Sequence, residues 1–302
     1  MKFAEISYSS KKEDFGIKGI FLKFPNCILN WYFIRFRPFY IQQTTLANAE
    51  GYTVKIYKPY ENYQTEKQTQ KLLLLLQKKE TDVLLIPYDI LFPHIIDIAY
   101  GNVINALFVL EAAKKAIKRQ SQTLQQSKFL IIDGKNDITN MVLDILYPHV
   151  NYLSIYTESP QNFLQKADEI YEEYGLRLEI FSDIKNKQFE TFNIILNCSE
   201  NEYPYNYKIQ KNAFFFDIIQ NDKKMRHLMS CRNDLLLSNG LLLKWENKNY
   251  TSKQIEVILR ITEHSFHDFL CHNKKQKLSE ILYLLQHKNI TVTALTCFEK
   301  RV

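Results

Sequence analysis

Lys128-Phe129-Leu130-Ile131-Ile132-Asp133-Gly134-Lys135-Asn136-Asp137-Ile138-Thr139 is the stretch on which the fold turns. Four apolar residues form a strand, a single glycine follows, and a helical pattern begins at once. Ile138, Met141, Val142, Ile145 and Leu146 make one apolar helix face that ends at Pro148, and Tyr152 to Tyr156 is the next strand, running into Thr157-Glu158. That order is a mononucleotide-binding β-α-β unit. Its fingerprint is worn: the first glycine is present as Gly134, but Asn136 and Thr139 stand where the second and third glycines belong.

The wear has chemical consequences. In an intact fingerprint the glycines let the backbone approach a pyrophosphate, whose charge meets the free N–H groups at the helix start. Here Asp133, Asn136 and Asp137 crowd that position. A carboxylate at the start of the helix satisfies its N–H groups and its dipole from within the chain, and it also repels a pyrophosphate. Lys135 offsets part of that charge. Glu158, 24 positions after Gly134, stands where a ribose-binding acid is expected, or else belongs with Ser159-Pro160 to the start of the next helix. The candidate cofactor-binding residues are therefore Gly134, Lys135, Asn136, Asp137 and Glu158, with NAD or NADP as the cofactor they would take. Only 7 of the 302 residues are glycine, so one falling at the end of this strand reads as structurally required.

Downstream, a helix from about Pro160 to Tyr174 closes on Gly175, and Leu176 to Phe181 is a third strand. Asn193 to Asn197 and Ala213 to Ile219 read as further buried strands. Leu235 to Leu237 and Leu241 to Leu243 flank Asn239-Gly240, either as a hairpin with a type I′ turn or as a strand followed by a loop. Helices are expected at 252–262 and 277–287, with a last short strand or an extended tail at 290–295.

Upstream, strands are expected at Lys2 to Tyr8, Ile20 to Phe24, Tyr52 to Tyr57 and Val83 to Ile86, with a helix over 65–78 and another after Pro38. The aromatics from Trp31 to Tyr40 read as core packing or an interface. A linking helix is expected over 102–119. The expected class is α/β with two α/β domains: residues 1–120, including that helix, and residues 121–302, a doubly wound, mostly parallel sheet with C-terminal helices.

This layout, with its second unit opening Phe129-Leu130-Ile131-Ile132-Asp133-Gly134, resembles the two-domain amino-acid and shikimate dehydrogenase-like group over about residues 82–245. The resemblance is one of architecture. It implies a Rossmann-type C-terminal domain and a nicotinamide cofactor. Shikimate dehydrogenases and their relatives also place a lysine and an aspartate between their domains for proton transfer. The matching region, Ile86-Pro87-Tyr88-Asp89-Ile90-Leu91-Phe92-Pro93-His94, has no lysine, so that pair is not carried over. Asp89 and His94 are the catalytic candidates that remain, beside the carboxyl end of a strand, where sites in such sheets gather.

His264, His267 and Cys271, spaced three and four apart, would share one helix face and are the candidates for a metal, although an amphipathic helix with Phe266, Phe269 and Leu270 explains the same spacing. The five cysteines are an odd number without a C-x-x-C pair, the pattern of free thiols in a reducing, cytoplasmic compartment. The N-terminus lacks the order of a signal peptide, and Leu72 to Leu76 is too short to span a bilayer. A net charge of +6 over 302 residues is not the density of a dedicated nucleic-acid binder. Neither a P-loop, a G-x-S-x-G elbow nor an H-E-x-x-H motif occurs.

Two expectations follow. One is a non-catalytic or highly diverged protein that binds a small metabolite or a protein partner, with a homo-oligomer left open. The alternative is a divergent NAD(P)-dependent oxidoreductase acting on a small acid in an interdomain cleft.

Overall fold

The computed structural model describes residues 1–9, 11–15, 25, 28, 31–32, 36, 39–57, 66–86, 96–120, 122–182, 189–201, 209–271 and 277–302. Packing divides the chain into two units, Met1–Ala99 with Val257–His264, and Tyr100–Glu256 with Ser265–Val302.

The first unit is built on a five-stranded sheet. Its strands are β1 (Phe3–Ser9), β2 (Phe39–Leu46), β3 (Ala49–Tyr57), β4 (Val83–Leu85) and β5 (Asp97–Ile98), in the order β2-β3-β1-β4-β5. All neighbours are parallel except β2 and β3, which form an antiparallel hairpin. Helix α1 (Glu66–Lys78) buries Leu72, Leu73 and Leu76 against Ala4, Ile6, Val54 and Ile56. Phe3, Val83 and Leu85 meet Val257 in a second apolar cluster. The split follows from the period of two along a strand, which sends alternate residues to opposite faces.

A strand at 39–46 corrects the helix expected after Pro38. Phe39-Tyr40-Ile41 and Thr44-Thr45 are aromatic and β-branched residues that favour a pleated surface, and pairing with β3 supplies their backbone partners. Trp31 and Phe36, whose rings meet edge to face at 5.4 Å, are exposed, which corrects the core-packing reading for them, whereas Phe39 and Tyr40 pack against apolar neighbours as that reading expects. The strand expected at 20–24 lies outside the described residues.

The second unit opens with α2 (Asn102–Leu107) and α3 (Val109–Gln120), so the segment expected to link the domains packs within this unit. Six parallel strands follow: β6 (Lys128–Ile132), β7 (Tyr152–Tyr156), β8 (Leu178–Phe181), β9 (Ile194–Asn197), β10 (Phe214–Asp217) and β11 (Leu236–Ser238). Helices α4 (Asp137–Leu146) and α5 (Gln161–Tyr174) cross from β6 to β7 and from β7 to β8, and α6 (Asp222–Cys231) joins β10 to β11. The spatial order is β11-β10-β9-β6-β7-β8, with every neighbouring pair parallel. Counted from the first strand of the unit, this is the 3-2-1-4-5-6 order of the doubly wound Rossmann fold, read from the other end. The switch point falls between β6 and β9.

Continuous apolar runs account for this sheet. Ile194 to Asn197 and Phe214 to Asp217 are buried at every position, as strands covered on both faces must be. On one face Leu130, Ile132, Ile195, Phe215 and Leu237 pack with Met225 and Leu228 of α6.

A four-stranded antiparallel sheet completes the unit, with β12 (Gly240–Trp245), β13 (Lys248–Thr251), β14 (Thr291–Cys297) and β15 (Lys300–Arg301) in the order β13-β12-β14-β15. Leu236–Ser238 and Gly240–Trp245 therefore belong to different sheets and are no hairpin. Glu246-Asn247 does join paired strands, β12 and β13, with both residues at positive φ (47° and 64°), the requirement of a type I′ turn. Helices α7 (Ser252–Thr262), α8 (His264–Cys271) and α9 (Leu278–His287) precede β14.

Candidate functional site

Asp133 is the first residue beyond β6, and its N–H still pairs with the Tyr156 carbonyl at 2.9 Å. Its carboxylate then turns back on the chain. Oδ1 accepts from the Lys135 N–H at 2.8 Å and Oδ2 from the Thr157 hydroxyl at 2.7 Å. Lys135 occupies the left-handed region at φ 55°, which lets the chain reverse into the helix. Asn136 caps α4 in an extended conformation, with Oδ1 accepting from the Thr139 N–H at 3.2 Å.

The same two residues close the switch point. Asn136 Nδ2 donates to the Cys198 carbonyl at 3.1 Å, and the Gly134 N–H donates to Thr139 Oγ1 at 3.1 Å. A Cβ on Gly134 would lie 1.8 Å from the Cys198 oxygen. Glycine is needed at this position because the backbone after β9 passes directly over it. Asn136 and Thr139, at the spacing of a fingerprint's second and third glycines, thus spend their polar atoms on closing the turn. Asn136, Asp133 and Thr139 fill the surroundings of Gly134, while Asp137 lies one residue on, in the first turn of α4.

Lys135 and Glu158 pair with each other. The ammonium stands 2.6 Å from Glu158 Oε2, with both side chains about half exposed (56% and 53%), and this hydrogen bond holds the lysine above its ordinary pKa. The base and the acid expected to flank a pyrophosphate and a ribose are occupied with one another across the ends of β6 and β7.

A second polar cluster sits at the carboxyl ends of β9 and β10. Asp217, fully buried, accepts from Asn197 Nδ2 at 2.5 Å and from the Asn221 N–H at 2.6 Å. Lys224, also buried, donates through Nζ to the Ser199 carbonyl at 2.7 Å. Burial pushes the Asp217 carboxyl up to about 6, against the opposing pull of Lys224 and of its two hydrogen bonds. Burial likewise raises the pKa of the Cys198 thiol, which favours its protonated form. These residues were not singled out from the sequence, yet they carried a signal: Ile-Ile-Leu-Asn and Phe-Phe-Phe-Asp are buried runs that end on a polar side chain, at the edge where such sheets place their sites.

Asp89 and His94 lie outside the described residues. Cys271 Sγ stands 3.7 Å from His267 Nε2, but among the described residues no group of three His, Cys, Asp or Glu side chains is arranged to hold a metal, so His264, His267 and Cys271 do not form such a site there. Cys198, Cys231, Cys271 and Cys297 are free thiols. No helix among the described residues is long and apolar enough to cross a membrane.

Strand order defines an α/β protein of the Rossmann class, and the turn after the first strand of its parallel sheet is closed by hydrogen bonds within the chain. No protein-family model matches the chain, and no curated protein does. Solved structures similar to it include L-tryptophan dehydrogenase from Nostoc punctiforme, at 10% identity over 97% of this chain and 83% of that one, with a TM-score of 0.37. Delta(1)-pyrroline-2-carboxylate reductase from Thermococcus litoralis shares 17% identity over 38% of this chain at a TM-score of 0.27, and the match spans 36% of the reductase. Aspartate transcarbamoylase from Trypanosoma cruzi shares 7% identity over 78% of this chain and 76% of that one, with a TM-score of 0.34. At such scores it is the strand order, and not these likenesses, that defines the fold.

Proposed function

We propose that the protein is a non-catalytic, Rossmann-fold binding protein, which takes a metabolite or a partner without a dinucleotide at the switch point. The observation that carries this reading is the internal closure of the turn: the Gly134, Lys135 and Thr139 N–H groups and the Asn136 amide all donate within the chain. A pyrophosphate would have to break these bonds and face the Asp133 carboxylate, while Lys135 would have to leave Glu158. The second reading, a divergent NAD(P)-dependent oxidoreductase acting on a small acid, draws support from the place of Glu158 at the end of β7.

Thermal unfolding with NAD+ and NADP+ separates the two. A ligand held only by the folded state stabilises it by about 2.7 kcal/mol at a hundredfold excess over its Kd. The midpoint is expected to stay unchanged with either nucleotide. A rise that disappears in Lys135→Ala would overturn the non-catalytic reading. Lys135 suits this test because its side chain is exposed, whereas enlarging Gly134 would disturb the fold itself.

A further inference from the structure

The edge of the Rossmann sheet opposite the switch point carries a cleft of about 570 Å³. Its floor is made by the residues that immediately precede strands, Asn193 before β9, Ala213 before β10 and Leu235 before β11, and the end of α3 forms a wall. The size falls within the ~300–1,000 Å³ of ordinary small-molecule sites.

Its chemistry is narrow. Gln120, Gln122, Asn193, Gln210, Asn212 and Asn233 line it with carboxamides, each offering both donors and an acceptor. Lys211 and Arg119 add two cations, the second of which also donates through its guanidinium to the Val302 carbonyl. The carboxylate in the lining, Asp234, is held in a two-pronged pair by Arg232 at 2.8 and 2.9 Å, which keeps its pKa below the usual range and neutralises its charge toward the cleft. Gln120 donates through Nε2 to the Asn212 carbonyl at 2.6 Å, but its buried Oε1 has no partner among the described residues. An acceptor left in that state is unfavourable unless a donor reaches it. Among the described lining residues there is no aromatic ring to stack a nucleobase and no Ser, Cys or His to act as a nucleophile or base.

From this lining we infer that the cleft binds a small hydroxylated organic oxyanion, a carboxylate or phosphate ester smaller than a nucleotide. Lys211 and Arg119 hold the anionic group, and the carboxamides exchange hydrogen bonds with the hydroxyls. A hydroxyl donor from the ligand also meets the need at Gln120 Oε1 once that side chain turns toward the opening. The inference rests on the reading of the protein as a non-redox binding protein, but the two fail separately, because they concern opposite edges of the sheet. Nucleotide binding lost in Lys135→Ala would overturn that reading and leave the cleft untouched.

Isothermal titration of the full chain with citrate, glucose 6-phosphate, inorganic phosphate and glucose tests it. Citrate or glucose 6-phosphate is expected to bind at least about tenfold more tightly than both inorganic phosphate and glucose, since neither of the latter offers charge and hydroxyls together. Lys211→Glu should weaken that binding by about tenfold or more, and Gln122→Leu should weaken it without abolishing it. Both side chains are exposed, so the variants are expected to fold, and their unfolding midpoints verify this. Lys135→Ala should leave the affinity unchanged. Failure of both organic anions to bind, equal affinity for inorganic phosphate, or affinity unaltered in Lys211→Glu would each overturn the inference.

Discussion

Gly134 and Lys135 are neighbours with opposite sensitivities. A methyl group at Gly134 must collide with the Cys198 carbonyl, a backbone atom that cannot swing aside. Gly134→Ala is expected to destabilise the protein by about 2–3 kcal/mol in urea unfolding, the usual cost of overpacking a closed site. Lys135→Ala should leave the unfolding midpoint nearly where it is, because an exposed ion pair gains little over hydration. Equal effects of the two substitutions would show that the turn does not close on Cys198. Asp217 introduces a pH dependence. Its carboxyl titrates near 6 in the fold against 3.8 as the ordinary value, so the native state keeps its proton where the unfolded chain has lost it. Asp217 therefore favours folding most below about pH 4; that contribution declines as the pH rises toward 6 and is level above it. The stability difference between wild type and Asp217→Asn should fall by on the order of 2–3 kcal/mol between pH 4 and 6 and then stay constant. Urea titrations at several pH values measure it, and a flat difference would refute the assignment.

Helix ends show how far local sequence carries. Gly175 ends α5 at φ 67°, its N–H bonded to the Tyr171 carbonyl at 2.9 Å, as a glycine after a helical pattern predicts. An added Cβ there meets nothing within 4 Å, so the cost of Gly175→Ala is that of the left-handed backbone alone, about 1 kcal/mol, and Gly175→Asn should recover part of it. Urea unfolding of the two variants decides this; a neutral alanine would mean that the helix ends elsewhere. Where the usual turn residues were absent, reading from sequence failed for a clear reason. Glu246-Asn247 and Phe298-Glu299 both adopt positive φ between paired strands although neither pair contains glycine, whereas Asn239-Gly240, the dipeptide with the right chemistry, passes the chain from one sheet to another. Strand pairing overrode turn propensity in all three places. The candidate site was legible in the same partial way. The crowding of the turn by Asp133 and Asn136 was recognisable, but the cap is the asparagine rather than a carboxylate, and the Cys198 carbonyl to which Asn136 donates lies beyond a strand far along the chain, which no local pattern announces.

For the whole molecule, the strand order ties the legible runs to different stabilities. Phe129-Leu130-Ile131-Ile132, Ile194-Ile195-Leu196 and Phe214-Phe215-Phe216 could be read as buried strands because both of their faces are apolar, and they lie side by side in the middle of the six-stranded sheet. Strand β2 could not be read in that way. It is an edge strand, only partly buried along its length, and its place depends on one antiparallel neighbour. Amide hydrogens open to solvent in proportion to the structure that must be lost to expose them, so the central parallel strands should exchange only on global or near-global unfolding of their unit. Hydrogen exchange read by mass spectrometry is expected to show peptides over 129–132, 194–197 and 214–217 protected about a hundredfold or more beyond those over 39–46. Nucleotide should not change that protection at 133–139, because the turn is already closed by Asn136 and Thr139. Protection at the turn that rose with NAD+ while the central strands stayed the same would restore a cofactor to the switch point; equal exchange across β2 and β9 would contradict the strand order from which the fold was assigned.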